Sequence, residues 1–214
     1  MKTLPLDPAD QPPPYQAQAI DELMRTEPIF SRVLDVHGAP PAWRREPGFA
    51  SMVRIILEQQ VSLASAKAAF ERLTETIECV TPERFLTLNA TELKRIGFSH
   101  QKISYSRNLA DALLAGVFDF HDLVYLDDDQ VRAVLTSIKG IGIWTANIYL
   151  LMAMERPDIW PQGDIALAEA YRRLKGMTHR PTSNDMKEIS SNWRPWRSTA
   201  ARILWHYYLS QKDR

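Results

Sequence analysis

The chain has 214 residues, 45% of them hydrophobic and 24% charged, with 26 basic residues balancing 26 acidic ones. That length can bury a substantial core as one domain or two small lobes, and the composition excludes wholesale disorder and a fibrous repeat. A single cysteine, Cys79, excludes an internal disulfide and any four-cysteine zinc or iron-sulfur site built by this chain alone, and it fits a reducing compartment.

The chain opens with MKTLPLDPADQPPPYQ, which has five prolines in its first fourteen residues and no apolar run of signal-peptide length. Residues 1–14 read as a flexible Pro-rich tail ahead of a helical domain over 15–214. No later segment approaches eighteen uncharged apolar residues, so the expectation is a cytoplasmic protein with no membrane partner. In YQAQAIDELMRT, Ile20, Leu23 and Met24 share one helical face. The run GFASMVRIILEQQVSLASAKAAFERLTETI splits into two helices, roughly Phe49 to Gln59 and Ser62 to Ile77. Two short helices follow. TPERFLTL begins with Thr81 as cap and Pro82 at a first helical position, and NATELKRIGF has Asn89 or Thr91 as cap and Gly97 as stop. SHQKISYSRNLADALLAG then makes a longer helix ending at Gly116.

After the aspartates 127–129, Val131, Val134, Leu135 and Ile138 follow the i, i+3, i+4, i+7 series of an amphipathic helix that stops near Lys139-Gly140. A second helix starts at about Gly142 and runs through IWTANIYLLMAM. Further helices are predicted over Ile165 to Leu174, Ser183 to about Ser191 and Pro195 to Leu209. Strand-like alternation is nearly absent, so the fold class is all-α.

Charge is unevenly spread. From Arg172 to Arg214 there are ten basic and three acidic residues, whereas DFHDLVYLDDD carries five aspartates and no base. That asymmetry can make one face attractive to a polyanion, although solvated helix faces account for it equally well.

Two helices joined by KGIG form a helix-hairpin-helix spanning about 128–155. Glycines at 140 and 142 permit positive φ and remove Cβ atoms, so backbone N–H groups and the next helix N-terminus can approach a phosphate. Read alone, these glycines are equally a helix C-cap. Asp164, in the loop 157–165, is by itself a good N-cap. Opposite a phosphate-gripping hairpin, the same carboxylate can stabilise positive charge developing on a sugar. None of the five histidines has a partner at metal-ligand spacing.

Five segments occur together in one order: FASMVRIILEQQVSLASA, GFSHQKISYSRNLA, SIKGIGIWTANIYLL, WPQGDIALAEA and WRPWRSTAARILWHYY. With these the sequence resembles the helix-hairpin-helix DNA glycosylase superfamily, in its 3-methyladenine DNA glycosylase II branch. The resemblance covers roughly residues 40–209 and lacks the N-terminal α/β domain of larger bacterial members. It implies a two-lobed helical fold with an active-site cleft between the lobes.

It also implies a monofunctional base-excision-repair enzyme, acting as a monomer on duplex DNA and releasing flipped 3-methyladenine or 7-methylguanine. Such a protein works in the nucleoid, or in the nucleus of a eukaryote. By motif, Asp164 is the catalytic carboxylate, and whether it also aligns a water is open. Trp144, Trp205 and Ile148 line the base pocket. Trp144 stands where bifunctional relatives place a Schiff-base lysine, and Ile148 where the best-known bacterial relative has a tyrosine. Gln60 is the wedge that fills the gap left by the flipped base. Lys139, Gly140, Ile141 and Gly142 hold DNA phosphate, and the carbonyls of Thr136, Ile138 and Ile141 bind a structural sodium or potassium ion. No catalytic cofactor and no iron-sulfur cluster are implied. A non-catalytic protein that uses the hairpin to hold DNA structures or abasic sites remains the alternative.

Overall fold

The computed structural model describes residues 11–211; ten residues of the expected Pro-rich tail lie outside them. Every regular element among the described residues is helical: α1 (Gln16–Thr26), α2 (Pro28–His37), α3 (Phe49–Glu58), α4 (Leu63–Ile77), α5 (Pro82–Thr87), α6 (Ala90–Ile96), α7 (His100–Leu114), a 3-10 turn (Asp122–Tyr125), α8 (Asp128–Thr136), α9 (Ile143–Met152), α10 (Ile165–Lys175), α11 (Ser183–Ser191) and α12 (Arg197–Ser210). The chain divides into two compact units. One joins the residues up to Arg45 with those from Glu155 onward, and the other is the continuous stretch from Glu46 to Met154.

Helix ends follow the side chains that can satisfy free backbone groups. Asn89 caps α6 with a complete capping box to Glu92, and Gly97 ends it in the left-handed region at φ 119°. Asp127 builds the same box with Gln130 at α8, and Thr182 does so with Asp185 at α11.

The stretch Glu46 to Met154 is organised around α9. Seven consecutive residues of this helix, Thr145 to Leu151, are buried, so it has no polar face and is packed on all sides. Helices α3 and α8 pack on it, and α7 packs on α3, α5 and α6. Phe85 is fully buried between Phe49 and Phe98, with ring centroids 5.8 and 5.7 Å away. The hydroxyl of buried Tyr149 on α9 accepts a 2.8 Å hydrogen bond from the Gly48 N–H at the start of α3. Burial raises the Tyr149 phenol far above its ordinary value, so it stays neutral.

In the other unit α12 plays the corresponding part, with Ser198 to Trp205 buried without interruption and α1, α2 and α10 packed on it. Its guanidinium at Arg202, fully buried, donates to the Ala42 carbonyl at 3.0 Å and to the Tyr15 hydroxyl at 3.3 Å. Trp193 is the aromatic hub, with Phe30, Trp160 and Tyr171 at 5.2, 5.4 and 5.9 Å.

Three local departures from the sequence expectation have physical reasons. Helix α2 was not anticipated: it follows α1 after one residue, and its Pro28 sits at the first helical position, where a missing N–H costs nothing. The 3-10 turn was also unforeseen, because four residues carry too little periodicity to be read. Helix α8 was expected to reach Lys139 but stops at Thr136. There the Thr136 and Ser137 hydroxyls bond back to the carbonyls of Arg132 and Val134, competing with the helical ladder.

Tyr149→Phe removes the hydroxyl and leaves the Gly48 N–H without this partner. Urea denaturation should show a stability loss of about 1–3 kcal/mol; a loss near zero would mean water replaces the hydroxyl.

Candidate DNA-binding and catalytic site

The hairpin runs from Ser137 to Gly142. Its two glycines have different tasks. Gly140 adopts φ 105°, and a Cβ there would lie 2.1 Å from Cγ of Tyr105 on α7, so only glycine permits that approach. Gly142 has φ −90° and open space around it, so of the two glycines only Gly140 uses the positive φ that both permit. Its lack of a side chain leaves the surface at the α9 N-terminus open, and no side chain caps that terminus.

The carbonyls of the hairpin are held from inside the unit. Lys139 O accepts from Asn108 Nδ2 at 3.2 Å, and Gly140 O accepts from Gln59 Nε2 at 3.3 Å. In a trans peptide the N–H points opposite to the carbonyl, so the Gly140 N–H is turned away from Asn108. The Ile141 N–H closes the turn on Ile138 O at 3.0 Å. Lys139 is exposed, whereas Ile138 and Ile141 are buried and anchor the loop. The result is a loop braced from inside the unit with a lysine at its rim, a form of backbone that can accept an anion through outward N–H groups.

The turn between α3 and α4 lies in the same unit. Gln60 is exposed and takes the left-handed conformation at φ 57°, a position that non-glycine residues rarely occupy and that concentrates at functional sites. Val61 and Leu63, which follow it, are 46% and 55% exposed, so apolar surface lies next to it in the turn. Trp144 follows on the first turn of α9, half-buried, and Ile148 lies one turn later with 2% exposure.

Asp164 and Trp205 belong to the other unit. Asp164 is the N-cap of α10: its Oδ1 accepts from the Leu167 N–H at 3.0 Å, and Gly163 at φ 85° turns the chain into that position. The aspartate is half-buried and lines a pocket of about 180 Å³ with Trp160, Arg180, Thr182 and Met186. Trp205 is 9% exposed on α12, and Trp43 meets it edge to face with centroids 6.4 Å apart. Trp160, near the Asp164 loop, is 6% exposed and packs on Trp193.

Sequence reasoning did not single out Trp43, Gln59 or Tyr105. Trp43 is half-buried at φ 48°, a strained backbone beside a tryptophan already assigned to the pocket. No periodicity marks it. Nor does any mark Tyr105, whose partner Gly140 lies 35 residues away in sequence. Among the described residues no group of three or more His, Cys, Asp or Glu side chains is placed to hold a metal ion.

These features have a family. The family model for the HhH-GPD superfamily of base excision DNA repair proteins matches residues 53–195, well over half of the chain, and the chain belongs to that superfamily. Its relatives include a DNA-3-methyladenine glycosylase of Bacillus subtilis, 29% identical over 208 residues that cover 92% of this chain and 67% of the relative. DNA-3-methyladenine glycosylase 1 of Schizosaccharomyces pombe is 28% identical over 166 residues, 76% of this chain and 72% of the relative. A solved structure of the Schizosaccharomyces pombe 3-methyladenine DNA glycosylase with abasic DNA aligns at a TM-score of 0.82 and 26% identity, covering 88% of this chain and 95% of that one.

Gly140→Ala should cost more than about 1 kcal/mol of stability, since it adds backbone strain to the Tyr105 clash. In a Tyr105→Ala background part of that cost should disappear. Equal losses in the two backgrounds, measured by urea denaturation, would show that the ring contact contributes nothing.

Proposed function

We propose that the chain is a monofunctional DNA glycosylase that hydrolyses the N-glycosidic bond of alkylated purines, 3-methyladenine and 7-methylguanine, flipped from duplex DNA. The observation that carries this reading is Asp164 at the mouth of α10, downstream of a glycine hairpin in a chain of the HhH-GPD superfamily. Relatives named for 3-methyladenine release support the choice of substrate class.

The chemistry is a hydrolysis. The bond between C1′ and the base nitrogen breaks, its electron pair leaves with the cationic methylated base and neutralises it, and water supplies hydroxyl to C1′ while its proton goes to solvent. Positive charge grows on the sugar as that bond stretches, and the Asp164 carboxylate stabilises it. An N-alkylated purine carries positive charge of its own, which lowers the demand for a general acid. It also suits the aromatic faces of Trp144 and Trp205, where cation-π attraction contributes about 0.5–2 kcal/mol. Trp43, against Trp205 in the same unit, adds a further aromatic edge beside it. Ile148 lines the pocket with an aliphatic side chain.

A buried base is unreachable in a duplex, so the nucleotide must leave the stack. Gln60 fills the gap, with Val61 and Leu63 beside it. Lys139, Gly140, Ile141 and Gly142 hold a phosphate. A sodium or potassium ion fits the carbonyls of Thr136, Ile138 and Ile141: all three are hard oxygen donors, and Ile138 O keeps one lone pair beyond its bond to the Ile141 N–H. When bound, the ion supplies positive charge toward a DNA phosphate. No other cofactor is required. The enzyme acts as a monomer, and Trp144 cannot form an imine, so the product is an abasic site with an intact strand.

Asp164→Asn keeps the capping oxygen of α10, because asparagine caps as well as aspartate. The variant should therefore fold and bind abasic-site DNA while base release falls by at least about 100-fold; unchanged release would remove Asp164 from the reaction. Borohydride added during turnover should trap no covalent adduct on denaturing gels, and a trapped adduct would contradict hydrolysis by water.

A further inference from the structure

We propose that Gln59 is a positioning residue that locks the Gln60 turn to the phosphate-holding hairpin, so that gap filling and phosphate grip move as one body. This rests on the function proposed above and adds a residue to it. The Gln59 amide nitrogen donates two hydrogen bonds, to Gly140 O at 3.3 Å and to Thr145 Oγ1 at 2.9 Å. One side chain thus joins the end of α3, the tip of the hairpin and the first turn of α9. Gln59 is itself the C-cap of α3, and the next residue is Gln60 in its left-handed conformation. Nothing flexible separates the amide from the wedge.

A single helix supports the same linkage. On α7, Lys102, Tyr105 and Asn108 recur every three residues and so share a face. Lys102 Nζ donates to Leu57 O at 2.6 Å, just before the Gln60 turn. Burial lowers the Lys102 amine below its ordinary value. Tyr105 lies against Gly140, and Asn108 holds Lys139 O. The wedge turn and the hairpin are therefore tied directly through Gln59 and again through α7.

The consequence concerns extrusion and not bond cleavage. Pushing a residue into the base stack exerts a reaction force on its turn, and the grip on phosphate must bear it. If the two were loosely connected, the force would displace the turn. A small misplacement of this kind costs rates on the order of ten- to hundred-fold. A lesion that is already unpaired needs little extrusion and is insensitive to the linkage.

The test compares single-turnover release of 7-methylguanine from a duplex in which it faces cytosine with release from one in which it faces an abasic site. A 2-aminopurine beside the lesion reports insertion independently of cleavage. Gln59→Ala should slow insertion and release on the paired substrate on the order of ten- to hundred-fold and leave the unpaired substrate nearly unaffected. Thr145→Val should act in the same direction, Thr145→Ser should retain the wild-type rate, and the Gln59→Ala, Thr145→Val double variant should be no slower than Gln59→Ala. Equal losses on both substrates, strictly multiplicative effects in the double variant, or wild-type rates in Gln59→Ala would overturn the proposal. Failure of the wild-type protein to release any base while 2-aminopurine still reports insertion would count against the glycosylase reading and leave the linkage measurable.

Discussion

Much of the candidate site depends on the close approach of the Tyr105 ring to Gly140. Because residue 140 has no Cβ, the hairpin can sit directly on α7, and its backbone takes φ 105° without the strain a side chain would add. With the loop seated there, Asn108 and Gln59 reach the carbonyls of Lys139 and Gly140. Those bonds set the peptide planes, and the planes set which N–H groups face outward. The outward face that the hairpin offers to the proposed phosphate is a consequence of how its other side is packed.

Each unit supports its functional residues with a helix that has no exposed face. In α9 the buried run from Thr145 to Leu151 begins one residue after Trp144, and the Tyr149 hydroxyl fastens it to the start of α3. In α12 the buried run ends on Trp205, with Arg202 satisfied by Ala42 O and the Tyr15 hydroxyl. Trp144 and Trp205 therefore stand at the edges of buried runs and Ile148 within one, where rotamers are restricted by packing. Asp164 differs. It sits on a helix terminus reached through a glycine turn, and the Leu167 N–H orients its carboxylate.

Most of the fold was legible because local signals agreed with one another. Asn89, Ser99, Asp127 and Thr182 cap the helices they precede, and the apolar spacing of α3 and α4 matches their buried residues, whereas at the end of α7 Leu114 is exposed. What escaped was nonlocal or too short. Helix α2 is ten residues pressed against α1 by a single intervening residue, and the end of α8 was decided by two hydroxyls that outweigh one apolar position at Ile138. In the site, Asp164 and the KGIG loop could be found from spacing, since each also makes local sense as a cap. Gln59 and Tyr105 could not, because their partners lie 81 and 35 residues away in sequence and no periodicity encodes such pairings. Trp43 was hidden for another reason: it lies outside any helix, and only its positive φ and the neighbouring Trp205 mark it.

The chemical account comes down to one event, the departure of a methylated purine from an intact strand. The direct measurement is chromatography of the small molecules released when the wild-type protein is incubated with duplex DNA treated with a methylating agent. The account predicts free 3-methyladenine and 7-methylguanine, with strands that stay whole until the abasic sites are cleaved by alkali. Retention of the protein on that DNA with no free base in solution would contradict it and leave a binding protein in its place.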